Sequence, residues 1–193
     1  MNNSSVNPPY LKYGLDFRNL FWVIGAILAT FVVVIIGNEW ILRFVHVLAS
    51  AVWTGVDLFV GFVIGPILRR LEPETRRSVM LKLTPKTIFL MPMLAIVSPT
   101  AGWFLAVQSG YLELSFPEIW WLIVALCITA AMAVQGLFLI LTANFRVFRE
   151  LSKDQPDYDK VAGMTKRFFY NIAAQGVFQI TIISIMVRFS VGL

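Results

Sequence analysis

The chain has 193 residues, of which 58% are hydrophobic and only 14% charged, and its mean hydropathy is +0.76. Soluble domains average nearer half apolar and a quarter charged, so the composition excludes an ordinary water-soluble globule and points to the membrane class. The net charge of +5 and the pI near 9.6 would suit a nucleic-acid binder. No RNA- or DNA-binding motif accompanies them, and no nucleic-acid partner is expected.

Residues 1–16 are polar, include Pro8-Pro9, and read as a short disordered tail. They lack the basic n-region of a signal peptide, and the apolar run starts too late for one, so no cleavage is expected. A first spanning helix is predicted over about 17–36, stopped by Gly37. Asn38 is placed to cap a second, over about 39–68. The next stretch, RRLEPETRRSVMLKL over 69–83, is basic and partly amphipathic, and reads as a connection lying on the membrane surface. Thr84-Pro85 has the form of a cap followed by proline at the first helical position, and predicts a third helix over 85–108. SFPE, Ser115 to Glu118, has capping-box spacing and predicts a fourth over 116–151. A fifth covers about 160–189. Each run can cross a hydrocarbon core of about 30 Å. The expected fold is all-α and polytopic, with five transmembrane helices in a single membrane domain over 17–193. Helices 2 to 5 form a four-helix core, and the N-terminal helix is peripheral.

Of the 16 Lys and Arg residues, all but Arg43 and Arg188 fall at one end of these helices: before helix 1, between 2 and 3, and between 4 and 5. Positive residues mark the cytoplasmic face, so a multi-pass plasma-membrane protein is expected, with its N-terminus inside and its C-terminus outside. Trp40, Tyr111, Trp120 and Trp121 then form an outer aromatic belt. The single Cys127 excludes an intramolecular disulfide and any cysteine-based zinc site.

Helix 2 contains groups that are expensive in lipid. His46, the one histidine, shares a helical face with Ser50, Trp53, Asp57 and Gly61, whereas Leu48, Phe59 and Phe62 point elsewhere. An ionisable group facing lipid costs at least about 2.5–3.5 kcal/mol, so the polar stripe is expected to face protein. A rise of about 1.5 Å per residue sets the depths. His46 falls level with Cys127, with 98–100 on helix 3 and with 182–184 on helix 5. Asp57 falls deeper, near Gln135, Asn171, Gln175 and Met91 to Met93. Two layers are expected, one holding the imidazole and one offering Asp57 several amide partners. Gln135, Asn171, Gln175 and Gln179 also suit plain interhelical hydrogen bonding. Asp57 suits either structural pairing or proton handling. Arg43 lies one turn after Glu39 and is expected to pair with it. Met91-Pro92-Met93 has soft ligands for copper(I) but equally suits a kinked, packed helix. His46 can be satisfied by Ser50 or a carbonyl, or can serve as the axial ligand of a haem.

The segment RFVHVLASAVWTG, Arg43 to Gly55, resembles the histidine-containing helix of the CopD-like and HemJ-like bacterial membrane proteins, whose HxxxxxxWxG pattern is filled here by His46, Trp53 and Gly55. The similarity extends over about 39–108 through a basic connection and a proline-containing helix with Pro99 and Gly102. It implies a four-helix core carrying b-type haem or handling copper, with His46 as the metal ligand and Ser50 and Trp53 beside the cofactor. HemJ-like members also carry a lysine on another core helix. Here Lys82 and Lys86 lie at the basic edge, far from His46, so a bis-liganded iron does not follow. Iron would be five-coordinate, or take a methionine, Cys127 or water.

Three functions stay open from the residues. The first is a haem-binding, redox-related membrane protein, with Asp57, Gln135, Gln175 and Asn171 handling protons. The second is a non-catalytic membrane subunit of a larger respiratory or transport complex, with helix 1 contacting a membrane protein partner or a second copy. The third is a copper or proton transporter. One histidine excludes multi-histidine zinc, di-iron or copper sites, and no phosphate-binding loop occurs.

Overall fold

Gly37 and Asn38 make the first corner of the chain, as their residue types require. Gly37 takes a left-handed φ of 66° and closes the preceding helix through its N–H to the Val33 carbonyl. The Asn38 side chain then accepts from the Ile41 N–H and starts the next helix. The computed structural model describes residues 17–192, so the expected tail over 1–16 lies outside the described residues. Five helices are long and apolar enough to cross a membrane: α1 (Asn19–Ile36), α2 (Glu39–Arg70), α3 (Pro73–Gln108), α4 (Ile119–Leu151) and α5 (Tyr158–Ser190). No strand occurs among the described residues. The protein is an all-α, multi-pass membrane protein.

The helices run alternately up and down. The four-helix core packs in the order α2, α3, α4, α5, with α5 returning against α2, and α1 leans on α3 from outside. Outward surfaces remain apolar: Phe21 and Ile35 on α1, Phe62 on α2 and Phe138 on α4 are all exposed, as suits contact with lipid. Lipid offers no hydrophobic gain for burying such groups, so helix association rests on close packing and hydrogen bonds. One packed cluster joins Val23, Ala49, Trp53, Met93, Val97 and Met132 across α1 to α4. A second joins Leu68, Leu81, Val147, Leu151 and Val161 at the basic end.

Two sequence expectations change here. The stretch over 69–83 is no separate surface segment. Pro73 begins α3, which passes straight through Pro85, Pro92 and Pro99. Thr84 is therefore interior to the helix and caps nothing. Tertiary contacts override the local signal: Leu81, Thr84 and Pro85 are buried, and Arg77 donates from Nε to the Leu151 carbonyl (2.9 Å) and from Nη2 to the Lys153 carbonyl (2.6 Å). Those acceptors lie at and just past the C-terminus of α4, where carbonyls lack helical partners. The capping box at SFPE does not form either. The Phe116–Pro117 bond is cis, the Ser115 carbonyl accepts from Ile119, and α4 begins at Ile119.

At the basic end, Tyr158 donates to Glu74, joining the first turns of α5 and α3. At the opposite end Gln108 donates to the Gly37 carbonyl (3.1 Å), and Tyr111 to that of Phe189 (3.4 Å). Arg43 pairs with Glu39 at 2.6 Å. Two π-helical segments interrupt the core, Val60–Ile64 in α2 and Gln135–Ile140 in α4. Each adds a local widening next to a polar side chain, Asp57 in one case and Gln135 in the other.

Candidate functional site

The polar stripe of α2 faces the bundle. Trp53 and Asp57 are buried and His46 and Ser50 half-buried, while Leu48, Phe59 and Phe62 are exposed. Along that face the side chains divide into two layers.

In the first layer, His46 Nδ1 lies 2.9 Å from the Ser98 carbonyl oxygen. A carbonyl only accepts, so Nδ1 carries the proton and the lone pair sits on Nε2. Ser50 donates to the His46 carbonyl and lies 2.7 Å from the Ser98 hydroxyl. Gly102, one turn beyond Ser98, supplies the room: a methyl group there would lie 2.6 Å from His46 Cε1. His46 lines two cavities. One, of about 390 Å³, is walled by Trp53, Met132, Ile182 and Met186. The other, of about 210 Å³, reaches toward Arg43 and Tyr111. Among the described residues, no hydrogen bond engages Nε2. Cys127 is exposed on α4 and offers no ligand to this cavity, whereas Met132 and Met186 line it. Lys82 and Lys86 line neither cavity.

In the second layer, Asp57 is 3% exposed. Its Oδ2 accepts from Gln179 Nε2 at 2.7 Å and Gln175 Nε2 at 3.0 Å. Trp53, one turn earlier, lines the same small cavity as Asp57. Gln135 and Asn171, expected as further partners, bond elsewhere: Gln135 donates to the Asn171 carbonyl (2.8 Å), and Asn171 turns back to the Arg167 carbonyl. The π segment beginning at Gln135 carries its amide toward the α5 backbone instead of the carboxylate. Oε1 of Gln135, Gln175 and Gln179 are all buried and, among the described residues, without a partner. Gln175 also lines a pocket of about 30 Å³, together with Asp57, Thr87, Met91, Gly136 and Asn144. That exceeds the roughly 10–15 Å³ needed for one water, although Trp53, Pro92, Ala95, Leu137, Ile140 and Leu141 make most of its lining apolar.

The expected depths agree with this arrangement: Ser98 meets His46, and Gln175 meets Asp57. Three participants carried weak signals. Ser98 acts chiefly through its backbone, which leaves no trace in residue type. Gly102 could have been found as a small residue at the depth of the imidazole. Gln179 lies one turn from Gln175 on the same face of α5. Met91 lines the Asp57 pocket while Met93 packs in the apolar cluster, and among the described residues no group of three or more His, Cys, Asp or Glu side chains converges. No family model, curated protein or solved structure matches the chain.

Proposed function

We propose that this is a membrane haem protein in which His46 Nε2 serves as an axial ligand. The observation that carries the reading is the bond from His46 Nδ1 to the Ser98 carbonyl beside a 390 Å³ cavity. Metal-ligating histidines donate their other ring nitrogen to a carbonyl or carboxylate in this way, which fixes the tautomer and the ring orientation. The walls of the cavity are chiefly apolar, as a porphyrin face requires. Met132 and Met186 stand as candidate second ligands. A bound haem would supply one-electron chemistry. The chain's own residues orient the imidazole (Ser98, Gly102), wall the pocket (Trp53) and keep a buried carboxyl group a few turns below (Asp57). In this reading the basic end faces the cytoplasm.

The test is an absorption spectrum of the detergent-purified protein, reconstituted with haem, beside its His46→Ala variant. A Soret band that shifts or vanishes in the variant is expected. A wild-type protein that takes up no haem on titration overturns the proposal.

A second reading rests on the Asp57 layer. The Gln175 and Gln179 amide oxygens, partnerless among the described residues, sit on the two side chains that hold the Asp57 carboxyl group, and this acceptor-rich spot suits proton or cation passage along α2. Here Asp57→Asn should abolish proton flux in proteoliposomes, and unchanged flux removes this reading.

A further inference from the structure

A cavity larger than either of those at His46 lies away from it. It is a groove of about 610 Å³ between α2 and α5, with exposed Phe62, Tyr170 and Val177 in its lining, and it runs from Asp57 toward Arg69, Arg76 and Lys166. Asp57 and Arg69 are twelve residues apart, about 18 Å along the helix, or roughly the depth of one leaflet of a 30 Å hydrocarbon core. The walls are apolar, with Leu58, Phe62, Ile172, Val177 and Ile180. Small residues keep it open. A methyl group on Gly61 would lie 3.3 Å from Ile172, and one on Gly176 3.6 Å from Leu58.

The mouth is basic and short of partners. None of Arg69, Arg76 or Lys166 forms an ion pair with a described residue. Arg69 stacks over the Phe169 ring at 5.8 Å, which holds its guanidinium at the groove. Arg76 gives Nη2 to the Leu71 carbonyl, but its buried Nε has no acceptor among the described residues. Thr165, 6% exposed and part of the lining, likewise has a buried hydroxyl with no partner. The only acid of the groove is Asp57, at the far end. Unused donors and three cations at the end of an apolar trough match one chemistry: a phosphodiester attached to an acyl chain. Basic pockets between membrane helices take anionic lipid headgroups for this reason.

We propose that the α2–α5 groove binds an anionic glycerophospholipid of the leaflet on the basic side. The phosphate sits among Arg69, Arg76 and Lys166, and one acyl chain lies along the groove toward Asp57. The site is independent of any haem at His46.

Native mass spectrometry of the full chain tests this, with phosphatidylglycerol and phosphatidylcholine of identical acyl chains added in detergent. Phosphatidylglycerol should be retained in preference by about tenfold or more, the scale set by several cations near one phosphate. The variant R69Q/R76Q/K166Q should lose that preference, whereas R146Q/R149Q, with neutralised cations on α4 outside the groove, should keep it. Ala173→Trp fills the trough without altering charge and should lower retention of both lipids. Equal loss in the α4 variant would mean generic surface charge and would overturn the proposal. So would an unchanged triple variant, undiminished retention in Ala173→Trp, or displacement of the lipid by millimolar inorganic phosphate.

Discussion

A methyl group on Gly102 would lie 2.6 Å from Cε1 and 2.7 Å from Nδ1 of His46, so the imidazole occupies the space that any other residue at 102 would claim. The ring is thereby pressed toward α3, where Ser98 orients it. Gly102→Ala is expected to swing His46 out of this seat and destabilise the protein by about 1–3 kcal/mol, the usual range for overpacking. Thermal unfolding in detergent measures the loss, and haem titration of the same variant should show weakened uptake. Wild-type behaviour in both would show that the contact relaxes freely.

Ser50 and Ser98 share a hydroxyl–hydroxyl contact of 2.7 Å between α2 and α3. A double-mutant cycle with Ser50→Ala and Ser98→Ala should give a coupling energy near 0.6 kcal/mol and no more than about 1.7 kcal/mol, the range found for hydrogen bonds between membrane helices. Zero coupling in a steric-trap or denaturation measurement would mean that the two hydroxyls act independently.

Asp57 accepts from the Gln175 and Gln179 amides, and among the described residues neither amide donates elsewhere. Asp57→Leu leaves Gln175 and Gln179 with buried donors and should cost about 1–3 kcal/mol for each group. Asp57→Asn keeps one oxygen facing them and should cost markedly less. Chemical denaturation of the two variants side by side checks the order, and a leucine variant as stable as the asparagine one contradicts it.

Arg77 links the start of α3 to the end of α4. Replacement by methionine keeps most of the apolar stem but removes two charged donors, each worth about 1.5–3 kcal/mol. The expected result is loosening confined to the basic end, seen as faster proteolysis near Asp154 with the His46 region unchanged. Equal protection of that connection in both proteins would contradict the link.

In a Cys127→Ala background, single cysteines at Asp154 and Glu113 should label from opposite sides of the membrane, with Asp154 accessible only from the cytoplasm. Labelling of Asp154 from outside the cell reverses the proposed orientation.

The chain's residues alone determined the number of spanning helices, the common end for the basic loops and the inward face of α2. Each follows from a period or a length: a run long enough for the bilayer, or a polar stripe at helical spacing that lipid would penalise. Gly37 and Asn38 were legible because the left-handed turn and the cap depend on nearest neighbours. Tertiary structure alone decided that α3 begins at Pro73 and runs through Pro85, because contacts with α4 and α5 outweigh the local preference for a break there. It also decided which amides reach Asp57. Gln135 and Gln175 are the same residue type at similar depth, but the π segment turns one toward the α5 backbone while the other meets the carboxylate. The seat of His46 depends on a backbone carbonyl and a missing Cβ on another helix. Such partners are invisible until the helices pack, since composition records side chains and leaves out which surfaces come together.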